Sequence, residues 1–213
     1  MKRRDPGSPE GKAPVPVDPV HLSKFLSSVL RHKPDAIGLT LDSQGWASID
    51  ELIDKASAGG THFDREDLVH VVETSEKKRF SVSADGRHIR AAQGHSVAVE
   101  LGLSPREPPT VLYHGTATRF IDSILSQGLT PQARQQVHLS ADEATAHRVG
   151  QRHGQPAILK VEALRMHTKG FAFFLADNGV WLTDLVPPEF LTPLSSSTDS
   201  ATTSRQPKPR DSP

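Results

Sequence analysis

Cysteine is absent from the 213 residues, which excludes both disulfides and cysteine-ligated zinc. No apolar run approaches the roughly 18 residues that a membrane span needs. An excess of one charge is lacking as well: 25 Lys and Arg balance 25 Asp and Glu, for a formal net charge of +0. That balance argues against a chain that coats nucleic acid through bulk electrostatics, so a nucleic-acid role must rest on a local basic site. A Gly-x-Gly-x-x-Gly fingerprint is missing, and a Rossmann dinucleotide site is therefore not expected. The 11 His do not fall into His-x-x-x-His spacing on a convincing helix, so no metal site is expected either. There is no internal repeat.

The hydrophobic fraction, 35%, is low for a globular chain, and the two ends account for the shortfall. Residues 1–18 carry Pro6, Pro9, Pro14 and Pro16 among polar side chains, and 195–213 are almost wholly Ser, Thr, Pro and charge. Neither stretch buries enough apolar surface to offset its ordering entropy, and both are expected to be disordered. Lys2, Arg3 and Arg4 imitate the start of a signal peptide, yet Asp5-Pro-Gly-Ser8 follows where an apolar segment would have to stand. The expectation is a soluble, cytoplasmic monomer with no membrane partner.

Asp18-Pro19 reads as a helix cap followed by proline at the first helical position. Leu22, Phe25, Leu26, Val29 and Leu30 repeat at helical spacing until Lys33-Pro34. Arg31 falls half a turn from that stripe at about 100° per residue, and so is expected to point away from the core. Gly45-Trp46-Ala47 reads as a turn and short strand, Ser48 with Glu51 as a capping box for a second helix, and Asp64 as the cap of a third. Phe80-Ser-Val-Ser and His88-Ile-Arg-Ala alternate around Asp85-Gly86, a hairpin with Phe80 and Val82 inward and Arg79 and Ser81 outward. Three helices followed by a hairpin is the order of a winged-helix module. The proline-rich Leu103–Pro109 marks the expected boundary between a lobe of 19–102 and a lobe of 110–194. In the second lobe, strands are expected at Val111–His114, Val137–Ser140, Ala157–Val161, Phe171–Phe174 and Val180–Thr183. Phe120 to Leu125 predict a helix closed by Gly128, and Ser140 with Glu143 form a second capping pattern for a helix over 141–149. The fold class expected is α+β, with a mostly β second lobe.

Three segments carry chemistry. Leu30-Arg-His-Lys-Pro34 places cations at a helix end, where pairing with the helix macrodipole is the bland account. Lys77-Lys-Arg79, with Arg87 and Arg90 beyond, is a local basic site or a solvated turn. In Tyr113-His-Gly-Thr116 a glycine stands between a ring and a hydroxyl that can both hydrogen-bond a ligand, although a structural histidine fits as well.

Together with Gly45-Trp46, Gln93-Gly-His-Ser96, Val137-His-Leu-Ser140, Val149-Gly with Arg152-His-Gly154, and Asn178-Gly-Val-Trp181, these segments give the chain a specific likeness. Over roughly Leu22 to Phe190 it resembles the RNA 2′-phosphotransferases, with no substitution at the positions that matter. The resemblance implies a winged-helix-like, RNA-binding N-terminal lobe and an ADP-ribosyltransferase-like, NAD-binding C-terminal lobe. It implies that RNA bearing an internal 2′-phosphate attacks C1″ of NAD, which is consumed as co-substrate, and expels nicotinamide. Transesterification by the ribose 2″-hydroxyl then gives 2′-OH RNA and ADP-ribose 1″,2″-cyclic phosphate. Arg31, His32, Arg79 and Arg134 match the family's catalytic residues, and His114, Gly115 and Thr116 part of its NAD site; Ser140 and Arg152 are further candidates for the ADP half.

Elementary chemistry agrees with that assignment. A phosphate monoester is already anionic near neutral pH, so the first step needs cations more than a base. Three guanidiniums can aim the dianion and stabilise charge during phosphoryl transfer, while His32 either handles the proton of the second step or only contacts phosphate. Two rival readings are an ADP-ribosyltransferase acting on terminal phosphates or protein, and a non-catalytic winged-helix nucleic-acid binder.

Overall fold

The computed structural model describes residues 17–194. The expected disorder of the tails falls outside the described residues except at Val17 and Asp18, where it is corrected: Val17 packs against the core and Asp18 caps the first helix. The chain is α+β, with short helices and, among the described residues, three small three-stranded sheets. Its contacts gather into two units. The first holds the residues up to Glu107 with Thr130–His138 and Phe171–Leu185; the second holds Pro108–Leu129, Leu139–Gly170 and the residues from Val186 on.

The first unit opens with α1 (Pro19–Arg31), whose N-terminus is capped by the Asp18 carboxylate accepting from the Val20 amide at 2.8 Å. Leu22, Leu26, Val29 and Leu30 are buried, as the spacing predicts. A short β1 (Ala47–Ser48) leads into α2 (Ile49–Ala58), where the Ser48 hydroxyl accepts from the Glu51 amide. The reciprocal capping box of Asp64 and Asp67 starts α3 (Arg65–Thr74). Next come β2 (Phe80–Val82) and β3 (His88–Ala91), antiparallel with Phe80 opposite Ala91 and Val82 opposite Ile89. The sheet order is β1-β3-β2. One hydrophobic core joins α1, α2, α3 and the inward face of this sheet, from Leu22 and Leu26 through Ile49, Leu52 and Leu68 to Phe80 and Ile89.

The proline-rich stretch is partly tied down: the Arg106 amide donates to the Phe173 carbonyl at 2.7 Å, and Pro105 bridges Phe174. The strand expected at Phe171–Phe174 is corrected, because pairing begins only at its last residue.

In the second unit β4 runs from Leu112 to Ala117, three residues beyond the expected strand, so His114, Gly115 and Thr116 are all strand residues. Next along the chain is α4 (Ile121–Gln127), closed by Gly128. The division between units falls within β5 (Val137–Leu139), after His138. Then α5 (Glu143–Gly150) is capped by Asp142, whose carboxylate accepts from the Thr145 amide at 2.7 Å. This corrects the cap read from sequence: Ser140 is not at the helix end but is bridged to Tyr113, each amide donating to the other's carbonyl at 2.8–2.9 Å. The remaining elements are β6 (Pro156–Val161), α6 (Ala163–Thr168), β7 (Phe174–Leu175), β8 (Trp181–Thr183) and β9 (Leu191–Leu194). The sequence had not indicated α6 or β9, each too short for a periodic signature. Strand orders are β4-β6-β9 in the second unit and β5-β8-β7 for the sheet that begins in the first.

Gly115 has a packing reason to be glycine. A Cβ built there would lie 1.7 Å from the Ala146 carbonyl oxygen, since α5 crosses β4 in direct backbone contact. Gly150 is the complementary small residue, where a Cβ would lie 2.6 Å from the Thr116 carbonyl. Overpacking of this kind cannot be relieved by a rotamer change. Gly115→Ala is expected to destabilise the chain by at least about 1–3 kcal/mol and to lower the melting temperature by several degrees; an unchanged melting curve would refute the close α5–β4 packing.

Candidate functional site

Four of the residues singled out in the sequence converge within the first unit. Arg31 ends α1, His32 is the next residue, Arg79 enters β2, and Arg134 lies in the loop before β5. The helical phase of Arg31 holds, since it is off the buried stripe, but the side chain is not solvated. It is half-buried, with Nη2 donating to the Arg79 carbonyl at 3.3 Å and Nε buried without a partner among the described residues. Burial, with Arg79 and Arg134 nearby, pushes the Arg31 guanidinium down to about 10. A guanidinium stays charged at neutral pH even so. Among the described residues neither Arg31 nor Arg79 makes an ion pair with a carboxylate.

The segment Gly94-His-Ser96, whose role the sequence did not reveal, ties these parts together. The Ser96 amide donates to the Arg31 carbonyl at 2.9 Å, its hydroxyl lies 3.1 Å from His32 Nδ1, and the His95 carbonyl accepts from the Gln135 amide at 3.3 Å. Gly94 has φ +90°, a conformation that favours glycine, and a Cβ built there would lie 3.6 Å from the His138 ring and 3.8 Å from the Arg31 guanidinium. Arg134 reaches His138 Nδ1 from four residues away. His32 is exposed, yet desolvation lowers its affinity for a proton, and Arg31, Arg134 and Lys33 lower it further. Neutral imidazole therefore prevails at neutral pH. If the Ser96 hydroxyl donates to the Arg31 carbonyl, 3.5 Å away, it accepts from Nδ1–H, and Nε2 then carries the lone pair.

Backbone strain marks the same place. Among the described residues the only non-glycine positions with positive φ are Lys78, at +38°, and Gln132, at +57°. One directly precedes Arg79 and the other precedes Arg134 by two residues. Such conformations persist only where the surroundings over-determine them. Arg90, by contrast, is committed to structure: it stacks 4.5 Å over Trp46, pairs with Asp177 at 3.4 Å and donates to the Leu101 carbonyl. Arg87 stays exposed.

The second unit carries His114, Gly115, Thr116, Ser140 and Arg152. Tyr113 turns its amide and carbonyl to Ser140, away from β6, so strand alternation points the Gly115 amide and carbonyl toward the same edge of β4. His114 is half-buried, Thr116 is only 6% exposed, and Arg152 is exposed in a short 3-10 turn after α5. Burial raises the Tyr113 phenol above its ordinary value, with the nearby Glu143 carboxylate adding to the shift. With Asp142 as the cap of α5, Ser140 needs no capping role to explain it.

Residues 18–185 match the family model described as RNA 2′-phosphotransferase, Tpt1 / KptA family. The chain belongs to this family. A probable RNA 2′-phosphotransferase of Pectobacterium carotovorum is 64% identical over 171 residues, covering 80% of this chain and 92% of that protein. One from Agrobacterium fabrum is 62% identical over 170 residues, 80% and 91% of the two chains, and one from Pseudomonas aeruginosa 57% over 170, 79% and 93%. No helix among the described residues is long and apolar enough to cross a membrane.

Two tests address the site without presuming a reaction. Inorganic phosphate is expected to raise the melting temperature with the logarithm of its concentration once that exceeds the dissociation constant, and Arg31→Ala or Arg79→Ala to abolish most of that rise. A rise equal in all three proteins would dissolve the anion site. The second concerns His95, 2% exposed with Nε2 unpartnered, which burial and Arg31 push from 6.5 to about 4. Between those pH values the unfolded ring holds a proton that the folded ring rejects, so stability falls as pH drops through that window. His95→Gln should flatten the fall measured by urea unfolding; an unchanged slope would exonerate His95.

Proposed function

We propose that this chain removes an internal 2′-phosphate from RNA by transferring it to NAD. The observation that carries the reading is the convergence of Arg31, Arg79, Arg134 and His32 in one unit, with no carboxylate paired to Arg31 or Arg79 among the described residues. A phosphate monoester brings two negative charges and three acceptor oxygens, which suits a pocket of guanidiniums far better than a neutral ligand does.

NAD as co-substrate supplies an electrophilic ribose carbon, C1″, bonded to a good leaving group. A 2′-phosphate oxygen forms the new bond at that carbon as the glycosidic bond to nicotinamide breaks. In the second step the ribose 2″-hydroxyl attacks phosphorus, the bond from phosphorus to the RNA 2′-oxygen breaks, and that oxygen takes a proton. The products are 2′-OH RNA, nicotinamide and ADP-ribose 1″,2″-cyclic phosphate.

The arginines bind and orient the dianion and then hold charge on its non-bridging oxygens while phosphorus is attacked. His32 starts neutral and can take the 2″-hydroxyl proton at Nε2; a bound phosphate raises the ring's affinity for that proton, which it can then deliver to the RNA 2′-oxygen. For NAD, the residues of β4 fit: the edge-facing Gly115 amide and carbonyl suit a carboxamide, His114 and Ser140 are accessible enough for ribose hydroxyls, and Arg152 suits a pyrophosphate. Thr116 is the poorest fit for ribose contact because its side chain is covered. The order α1-β1-α2-α3-β2-β3 with sheet order β1-β3-β2 supports the winged-helix reading of the first unit.

Arg79→Ala and Arg134→Ala are each expected to lose well over tenfold in kcat/KM, since a desolvated charge-assisted contact contributes roughly 1.5–3 kcal/mol. The measurement is nicotinamide release together with 2′-OH RNA from a 2′-phosphorylated oligonucleotide. Near-wild-type rates for both variants would overturn the phosphate assignment. Nicotinamide without 2′-OH RNA would instead identify a transferase that stops at the first step.

A further inference from the structure

A groove of about 590 Å³ lies in the first unit between the polar face of α1 and the end of α3, and it ends at His32 and Arg79. Its α1 wall is Val20, Ser23, Lys24, Ser27, Ser28 and His32, a stripe at helical spacing opposite the buried one. The facing wall is Val71 and the turn Thr74–Lys77. From Val20 to His32 the helix rises about 18 Å, far more than a single phosphate occupies.

The lining has the chemistry of a site for a phosphodiester strand. Small hydroxyls on successive turns keep the floor low and offer donors to phosphate and sugar oxygens. The cations Lys24, Lys77 and Arg79 meet only one acidic lining residue, Glu76. Ser75, also on the facing wall, keeps its Oγ buried with no partner among the described residues. Val20 at the far end is 61% exposed, an apolar surface against which a base or ribose can rest. The groove is also continuous with the phosphate cluster, because His32 and Arg79 belong to both.

We infer that this groove holds the single-stranded RNA flanking the reactive 2′-phosphate, gripping its sugar-phosphate backbone and leaving the bases unread. The inference rests on the reading of the chain as an RNA-modifying enzyme. It adds a second locus of recognition that shares His32 and Arg79 with the site of the reacting phosphate and extends from them along α1 and the end of α3. Single-strand affinity should then depend on salt and hardly at all on sequence.

The test separates the groove from the chemistry by measuring binding of an unmodified, fluorescently labelled single-stranded oligonucleotide. Lys24→Glu with Ser27→Glu should weaken it at least tenfold, Glu76→Gln should strengthen it, and Lys24→Ala should reduce the salt slope by about 0.7. In turnover, the double variant should raise KM on a long 2′-phosphorylated RNA, with kcat within twofold. It should leave both constants unchanged on a 2′-phosphorylated dinucleotide, too short to fill the groove. Equal binding by wild type and variants, or equal losses on both substrates, would overturn the inference. If no protein turns over either substrate, the enzymatic reading fails while the binding series still decides the groove. Should the double variant not fold, as shown by its melting curve, Lys24→Ala and Glu76→Gln carry the comparison with effects of opposite sign.

Discussion

Three guanidiniums gathered in one place cannot organise one another. Each repels its neighbours, and burial, with the charges of Arg79 and Arg134 adding to it, holds the Arg31 guanidinium down to about 10. A structural cluster would be neutralised by interleaved carboxylates, as Arg65 is by Asp50 and Arg165 by Glu162 elsewhere in the chain. Among the described residues Arg31 and Arg79 have no such answer. Since the fold must still hold them in place, neutral groups have to do it.

Backbone amides and carbonyls fill that role. The Arg79 carbonyl holds the Arg31 side chain, the Arg31 carbonyl is held by the Ser96 amide, and the His95 carbonyl holds the loop carrying Arg134. The strained Lys78 and Gln132 place Arg79 and Arg134, and the core of the first unit anchors α1 and the β2–β3 hairpin on which two of the arms depend. Such preorganisation leaves the guanidinium charge available for an anion, which is what a site that stabilises developing negative charge requires.

The helix caps at Asp18, Ser48 and Asp64 and the hairpin around Asp85-Gly86 were legible because each is a local contest of backbone hydrogen bonds that a few adjacent residues decide. The same logic misled at Ser140, where Asp142 competes for the capping position and wins, and at Phe171, where apolar side chains resemble a strand but the partner begins three residues later. What sequence could not show was anything set by contact across long separations. Helical phase took Arg31 off the core stripe but could not reveal that its side chain is half-buried and tied to the Arg79 carbonyl. Nothing local to the loop before Val137 indicated where Arg134 would point. Gly115 read as an invitation to a ligand, and its missing side chain is first of all what lets α5 lie against β4.

That last case bears on how a motif should be weighed. The packing at Gly115 accounts fully for the glycine, yet it removes none of the reasons to place a ligand nearby, because the amide and carbonyl at the sheet edge belong to the backbone and are indifferent to why the side chain is small. Packing and binding thus make separable demands on one residue. A variant in which α5 withdraws from β4 to make room for a side chain would preserve the edge groups, whereas a change of strand register would lose them while keeping the glycine. The Gly-x-Ser segment at Gly94–Ser96 shows the converse: its glycine is required by φ, but its neighbours act on His32 and the Arg134 loop through a hydroxyl and a carbonyl, so the function lies beside the residue that makes the motif conspicuous.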